Sequence, residues 1–299
     1  MNFSTRWAWF RAKRRQMAPD PAQVAGDTSE ARLLKIMRAA GNSRGWEVFH
    51  SVRIPEENNA RKREIDFVLI CQDEMLVIEQ KHWSGRADVN QEGEFIQHRT
   101  NGTSMNHGKI AETILHKTKL LQSSWDQNGF TELLPKISTI LVFTHKDFDS
   151  SSILDINGLT IFNERMLIER LETTGQGPPS ALLSGFFRTR PTWDEVSVHG
   201  GSIRKGDIFH FGLGEEIVKH VDLFSPLEIE VKHDRSWLGL FKAKASIATL
   251  TQGEHVIKLQ LPHDAMLKMH VVGEKQAEFI PWSCINSCVS TWHETKRTN

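Results

Sequence analysis

Three charged residues, Asp66, Glu79 and Lys81, lie at the ends of two neighbouring apolar runs, and their types suit metal-assisted phosphoryl chemistry. Asp66 opens the run IDFVLIC, whereas Glu79 and Lys81 close the run MLVIEQK. Two carboxylates can hold a hard divalent cation such as Mg²⁺, with water and a substrate phosphate as further ligands. A nearby ammonium group can orient the attacking water or stabilise the negative charge that develops. Together these groups would suit hydrolysis of a phosphodiester bond.

The elements that must position these residues are two strands joined by a turn. Apolar, β-branched runs on either side of the polar group QDE predict a β-hairpin. A two-residue turn at Gln72 and Asp73 would place Asp66 opposite Glu79, whereas a longer turn would shift that pairing by a residue or two. Because side chains alternate along a strand, Asp66, Glu79 and Lys81 should then share one face of the hairpin.

Length and composition favour a soluble protein of one large or two ordinary domains. The chain has 299 residues with a 39% apolar fraction, which is enough for a sizeable core. Lys+Arg and Asp+Glu each total 37, so net charge alone indicates no nucleic-acid partner. No run approaches the ~18 apolar residues that span a bilayer, and the N-terminus lacks the apolar centre of a signal peptide. Three cysteines cannot form a disulfide framework, so the expected location is the cytoplasm.

Strands and helices alternate between residues 27 and 173, which predicts an α/β domain with a mixed sheet. A helix should begin at Asp27, Thr28 or Ser29, which would put Glu30 in its first turn. The other predicted elements are a strand over 46–54, a strand pair over 85–100, a helix over 106–125, a strand over 137–143, and a strand followed by a helix over 159–175.

The character of the sequence changes after residue 202, where short runs alternate apolar and polar residues between turn signals. This pattern predicts a small all-β domain, a barrel or a sandwich, over 202–292. We expect a linker over 191–201, the α/β domain over 21–190, and a basic, aromatic-rich arm over 1–20. The arm could grip a phosphate backbone, lie on a membrane surface or pack as an ordinary terminal segment.

The stretch from about residue 27 to residue 145 resembles the NERD (nuclease-related) domain of the PD-(D/E)XK nuclease superfamily. The resemblance rests on a helix reading SEARLL, the strands EIDFVLI and LVIEQKHWSG, and the downstream strand ILVF. It implies a restriction-endonuclease-like mixed sheet flanked by helices. It also implies a nuclease that depends on Mg²⁺ or Mn²⁺.

The resemblance assigns roles residue by residue. Asp66 and Glu79 match the metal-binding pair, and Lys81 matches the catalytic lysine. Glu30 matches a carboxylate on the N-terminal helix that supports the metal shell. The backbone carbonyl of Gln80 is also expected to face the metal.

Two positions depart from the family pattern. Such domains often open the first helix with a Gly-Glu pair, whereas Ser29 stands at the glycine position here. The helix after the hairpin often carries an Asn-Pro…Gln pattern, but this chain reads NHGKIAE, with His107 in the proline place and no matching glutamine. Lys109 or Glu112 could substitute for that glutamine. His107 lies near a helix start and could reach the site, although we favour a surface cap residue. We interpret His82 as structural because strand alternation turns it away from Lys81.

The expected substrate is nucleic acid, with DNA favoured and RNA as the alternative. The basic segments 11–15 and 61–63 and the lysines of helix 106–121 would hold its backbone without reading sequence. The C-terminal β domain would bind the substrate or a protein partner. Two alternative hypotheses are a non-catalytic nucleic-acid-binding or scaffold protein that keeps the nuclease fold, and a partner-dependent effector in defence against foreign DNA.

Overall fold

The computed structural model describes residues 3–19, 21–56, 62–149, 155–156, 158–214, 222, 225–236, 245–274 and 276–291. Arg61, in the basic segment predicted at 61–63, lies outside these residues. Contacts divide the chain into two units, one of Val24–Arg190 and one that joins Met1–Gln23 to Pro191–Asn299. Within the described parts of the chain, no helix is long and apolar enough to cross a membrane.

The first long helix begins earlier than predicted. In chain order the described helices are α1 Phe3–Arg14, α2 Pro21–Gly41, α3 Ile110–Gln127, α4 Glu164–Thr173 and α5 Ala181–Arg188. The start predicted at residues 27–29 is wrong because α2 begins at Pro21, where a proline fits the first turn and loses no hydrogen bond. Glu30 therefore lies inside the helix and not in its first turn. α5 was not predicted; Ser180 caps it by accepting a hydrogen bond from the Leu183 N–H.

The unit Val24–Arg190 is built on a mixed sheet, as predicted. Its described strands are β1 Glu47–Pro55, β2 Lys62–Ile70, β3 Glu74–Lys81, β4 Gly85–Val89, β5 Phe95–His98, β6 Ser104–Asn106, β7 Lys136–Phe143, β8 Phe148–Asp149, β9 Asp155–Ile156 and β10 Leu159–Asn163. The main sheet has the order β1-β2-β3-β7-β10-β9, and a small sheet has the order β6-β5-β4-β8. In the main sheet β3, β7 and β10 are parallel, whereas β1, β2 and β3 are antiparallel neighbours.

Helices cover both faces of β2 and β3. On one face Val68 belongs to an apolar cluster with Leu121 of α3 and with residues of α5. On the other face Phe67 packs in a cluster with Leu33 of α2 and Leu167 of α4. Strands buried on both faces carry nearly unbroken apolar runs, which explains the composition of the hairpin.

Gly85 connects the hairpin to the small sheet in a conformation that requires glycine. Its φ is +85°, and an added Cβ would lie 2.0 Å from the His98 carbonyl oxygen. We expect Gly85→Ala to lower the free energy of unfolding by about 2–4 kcal/mol, because backbone strain and a steric clash add. Gly93→Ala is the matched control, since its φ is +81° but nothing lies within 4 Å of the added Cβ. Urea denaturation should show the smaller loss, about 1–2 kcal/mol, at Gly93; equal losses would contradict the clash.

The C-terminal region is an antiparallel β structure, as predicted. Its described strands are β11 Asp194–Val198, β12 Ile203–His210, β13 Leu227–Lys232, β14 Ile247–Gln252, β15 His255–Gln260, β16 Met266–Val271, β17 Glu278–Pro281 and β18 Ile285–Ser290. They form one sheet in the order β15-β14-β13-β18-β11-β12-β16-β17. The expectation that 191–201 is a linker is wrong over Asp194–Val198, because Val196 and Val198 alternate with polar residues and are buried in this sheet.

Part of the basic N-terminal arm is a helix packed within the same unit. Trp9 of α1 is buried, with its ring centroid 4.1 Å from that of His263. Lys13 is also buried, and its backbone carbonyl accepts a hydrogen bond from Arg235 Nε at 2.6 Å. The Lys13 ammonium lies 3.8 Å from the centroid of the Trp9 ring. Of the three interpretations of the arm, ordinary terminal packing therefore accounts for these residues.

His233 should make the stability of the C-terminal unit depend on pH. Its Nδ1 lies 2.6 Å from Ser246 Oγ and its Nε2 lies 2.7 Å from the Ile285 carbonyl oxygen. Burial lowers the pKa of His233 from 6.5 to about 4. Because the unfolded chain binds this proton more tightly, the stabilisation is present above pH 6.5 and is lost as pH falls towards 4.

We expect His233 to contribute a loss of about 1–3 kcal/mol in the free energy of unfolding over this pH window. Urea denaturation at several pH values would measure it, with His233→Gln as the control because glutamine does not titrate. The wild type should lose more stability than the variant between pH 6.5 and pH 4. Parallel curves for the two proteins would contradict the assignment.

Candidate active site

The hairpin has the shorter of the two turns considered from the sequence. The backbone groups that flank Gln72 and Asp73 are hydrogen-bonded at 2.9 Å, which closes a two-residue turn. The register pairs Phe67 with Ile78, and one further step along the strands places Asp66 across from Glu79. The predicted convergence of the carboxylates at one end of the hairpin follows from this register.

Asp66 retains some exposed surface, but protein surrounds its carboxylate on most sides. Asp66 Oδ2 accepts a hydrogen bond from the Gln80 N–H at 2.8 Å. Burial and the Glu79 carboxylate raise the pKa of Asp66 well above its usual value. Lys81, Lys117 and the Gln80 N–H oppose the rise without cancelling it. The surroundings of Asp66 therefore disfavour its negatively charged form.

Glu79 is buried and binds two lysines at once. Its Oε1 accepts a hydrogen bond from Lys81 Nζ at 2.8 Å, and its Oε2 accepts one from Lys117 Nζ at 2.6 Å. Burial favours a higher pKa for Glu79, but the two ammonium groups outweigh burial and lower the pKa. For Lys81 burial acts in the opposite direction, yet Glu79 and Asp66 outweigh it and raise the pKa of this lysine.

Lys117 forms a charged cluster with Asp66, Glu79 and Lys81, and its place there was not predicted from the sequence. The sequence places it among the lysines of helix 106–121 that would hold a nucleic-acid backbone, but only 13% of its side chain is exposed. Its position three residues after Ile114 and four before Leu121, both buried, places it on the inward face of α3. That helical spacing is the signal that could have identified it.

The two residues proposed to replace the missing glutamine lie at the start of α3. Lys109 directly precedes the helix, and Glu112 lies in its first turn. Lys109 and Glu112 pair with each other at 3.0 Å, and both side chains are largely exposed. The expectation that one of them substitutes at the site has no support in this geometry. Lys117 is the α3 side chain that reaches Glu79.

Glu30 reaches the edge of the site from α2. Its Oε2 lies 3.2 Å from His50 Nε2, and its charge contributes to the raised pKa of Lys81. Ser51, which follows His50, has a φ of +53°, a value unusual for a residue other than glycine. The register of β1 with β2 places Ser51 across from Asp66. Strained backbone of this kind is often found at functional sites.

Gln80 contributes to both faces of the sheet. Its N–H binds Asp66, whereas its side-chain Nε2 donates to Ser29 Oγ at 2.7 Å and to Thr144 Oγ1 at 3.2 Å on the other face. His82 Nδ1 lies 3.1 Å from both of these hydroxyl oxygens, so His82 points away from Lys81 as predicted.

An open groove of about 420 Å³ begins at the charged cluster. It is lined by Glu79, Lys81, Trp83, His107, Ile110, Thr113 and Ile114. The interpretation of His107 as a surface cap residue is wrong, because its ring stacks on that of Trp83 with centroids 3.9 Å apart. The alternative that His107 reaches the site agrees with its place in this groove beside Lys81. The residue before α3 is Lys109, whose side chain makes no cap hydrogen bond.

A comparison with protein families identifies this region independently. The family model described as NERD, nuclease-related domain, matches residues 25–144. No curated protein and no solved structure matches the chain. The matched segment contains the hairpin, α3 and most of α2, and so includes all the residues of the charged cluster. Residues 25–144 of this protein therefore form a nuclease-related domain of the NERD family.

Proposed function

We propose that the nuclease-related domain hydrolyses phosphodiester bonds in nucleic acid, with DNA as the expected substrate, by the chemistry of PD-(D/E)XK nucleases. The observation that carries the proposal is the convergence of Asp66, Glu79 and Lys81 at one end of the hairpin, beside an open groove. Acidic and basic groups together in a partly enclosed site are what phosphoryl hydrolysis requires.

The carboxylate pair fits Mg²⁺ or Mn²⁺. The charge of Glu79 helps to raise the pKa of Asp66, and a divalent cation between the two would relieve this repulsion. Within the described residues, no three or more histidine, cysteine, aspartate or glutamate side chains are grouped for a metal. Mg²⁺ commonly takes one or two carboxylates and leaves the other positions to water and phosphate. The Gln80 carbonyl and, at the edge, Glu30 are proposed to support this site. When bound, the metal would polarise the phosphoryl oxygen and acidify a water molecule.

Lys81 is proposed to supply positive charge and not to act as a base. Its raised pKa keeps the amine protonated near neutral pH. Glu79 holds the ammonium group at 2.8 Å, so this donor is oriented before substrate binds. A preorganised ammonium group can orient the attacking water and stabilise negative charge on the phosphate.

Lys117 is proposed to hold Glu79 from the side of α3. It compensates the charge of the buried carboxylate and fixes its second oxygen. Because the Lys117 ammonium group binds Oε2, it competes with a metal for the negative charge of this oxygen. Lys117 should therefore set the metal concentration that the site needs.

The contacts of Lys81 and Lys117 with Glu79 also favour one alternative, a non-catalytic protein that binds nucleic acid. Both oxygens of Glu79 are engaged by lysines, so charge compensation within the cluster does not require a metal. Exposed lysines of α3, such as Lys119, could hold a phosphate backbone in either case. Cleavage is what separates the two functions.

The test is to incubate the purified protein with supercoiled plasmid, linear DNA or RNA, in Mg²⁺, Mn²⁺ or EDTA. We expect cleavage with metal, none with EDTA, and none from Asp66→Ala or Lys81→Ala. Lys136→Ala is the control because this exposed lysine pairs with Glu74, at the opposite end of β3 from Lys81. Binding that survives in every variant, with no cleavage of any substrate by the wild type, would replace the nuclease by the non-catalytic alternative.

A further inference from the structure

We propose that the groove beside Lys81 binds an unpaired base, which stacks on the surface formed by Trp83 and His107. The inference rests on the proposed nuclease function and specifies the state of its substrate. The preferred substrate would be single-stranded or locally opened DNA, with the phosphate at the charged end of the groove and the base at its aromatic end.

The two rings form one rigid surface close to the reacting groups. Trp83 follows Lys81 by two residues, and its ring stacks on that of His107 with an interplanar angle of 22°. Phe143 supports Trp83 with ring centroids 5.5 Å apart. His107 Nε2 lies 3.1 Å from Gln97 Oε1, so the imidazole is also fixed from the small sheet.

The position of Gln97 is itself fixed. Its Nε2 donates a hydrogen bond to the Ser84 carbonyl oxygen at 2.9 Å, and Gln97 is buried. Ser84 directly follows Trp83 in the chain. The aromatic pair is therefore held by a short network that does not involve Glu79 or Lys81, and it can be altered separately from them.

The lining of the groove changes character along its length. Glu79 and Lys81 are charged, whereas the rest of the lining is aromatic, aliphatic or a threonine. Trp83 and His107 are both half-buried, which leaves part of their surface to the groove. A site for phosphate alone would need donors throughout, but a nucleotide has a charged end and a flat apolar end. Stacking on aromatic side chains is how proteins bind unpaired bases.

An intact duplex could not use this surface. Its bases stack on one another, and an enzyme reaches a single base only after unpairing and unstacking it. The groove of about 420 Å³ has the size of a small-ligand pocket, which suits one nucleotide. Single-stranded DNA presents its bases without that energetic cost, so it should bind more tightly.

The experiment measures binding in EDTA, so that it is independent of cleavage. A fluorescently labelled 12-nucleotide single strand and its duplex are titrated with wild-type protein, Trp83→Leu and His107→Ala. We expect each substitution to weaken single-strand binding by about fivefold to a hundredfold, the loss of one stacked base. Duplex binding should stay within about twofold, since backbone contacts alone support it.

Rescue and control variants separate stacking from damage to the fold. Trp83→Phe and His107→Phe keep a flat ring and should restore most of the single-strand affinity. His98→Ala, a partly exposed histidine in the same small sheet that does not line the groove, should change nothing. Equal losses for single strand and duplex, or failure of both phenylalanine variants to rescue, would overturn the proposal. If the wild type binds single strands preferentially but never cleaves, the stacking surface stands and only the nuclease function fails.

Discussion

Asp66→Asn is expected to lower metal-dependent cleavage by about a thousandfold or more while making the protein more stable. Asparagine has nearly the same shape, and its amide oxygen can still accept the hydrogen bond from the Gln80 N–H. It removes one of the two proposed anionic metal ligands, and the proposed metal would stabilise the transition state by several kcal/mol. Each 1.36 kcal/mol changes the rate tenfold, which gives the expected loss.

The gain in stability has a separate cause. Burial and Glu79 disfavour the charge of Asp66, so a neutral side chain removes a cost of folding. We expect the free energy of unfolding to rise by about 1–2 kcal/mol at pH 7. This is the usual gain when a functional residue that destabilises the fold is replaced. Thermal unfolding without metal measures this gain, and initial rates on plasmid DNA with Mg²⁺ measure the loss of activity.

The control for Asp66→Asn is the same change at an exposed position in the same domain. Asp126 lies on α3 and is exposed. Asp126→Asn should leave the rate unchanged and shift stability by less than about 0.5 kcal/mol. An Asp66→Asn variant that cleaves normally would contradict the role of Asp66, and one that is destabilised would contradict the account of its charge.

The two lysines that bind Glu79 should respond differently to replacement by methionine. Methionine keeps much of the length and apolar surface of lysine and removes the charge. Lys81→Met should lower the rate at saturating Mg²⁺ by about a hundredfold to a thousandfold, the typical effect of losing one preorganised donor. The Mg²⁺ concentration for half-maximal rate should change little.

Lys117→Met should act mainly on the metal requirement. It frees Glu79 Oε2 from a charge-assisted hydrogen bond at 2.6 Å, a type worth about 1.5–3 kcal/mol. We expect the half-maximal Mg²⁺ concentration to fall about tenfold, with a smaller loss of maximal rate than in Lys81→Met. Rates measured across a Mg²⁺ titration distinguish the two, with Lys136→Met, exposed opposite the far end of β3, as the control. Identical behaviour of the two variants would contradict the separate roles proposed for the lysines.

The hairpin could be predicted because the sequence features that determine it lie within about twenty consecutive residues. Alternation along each strand and a short polar turn determine which side chains share a face, and the observed register agrees. Lys117 was missed because its role depends on which face of α3 meets the sheet. The pairing of Trp83 with His107 was also missed, since it joins residues far apart in sequence. Two elements were assigned wrongly, the start of α2 and strand β11. Both lie beside prolines or glycines, which can mark a loop but can also stand at the end of a helix or strand.

Gln80 gives the domain a constraint on how its sequence can change. Its N–H orients Asp66 on one side of the sheet, and its side chain is anchored to Ser29 of α2 on the other. A glycine at position 29 would leave the Gln80 amide with Thr144 Oγ1, at 3.2 Å, as its remaining hydroxyl acceptor. The two positions should therefore covary among related sequences, with a hydroxyl-bearing residue at the first wherever glutamine stands at the second. Changes within α2 and changes on strand β3 would then be coupled through a single side chain.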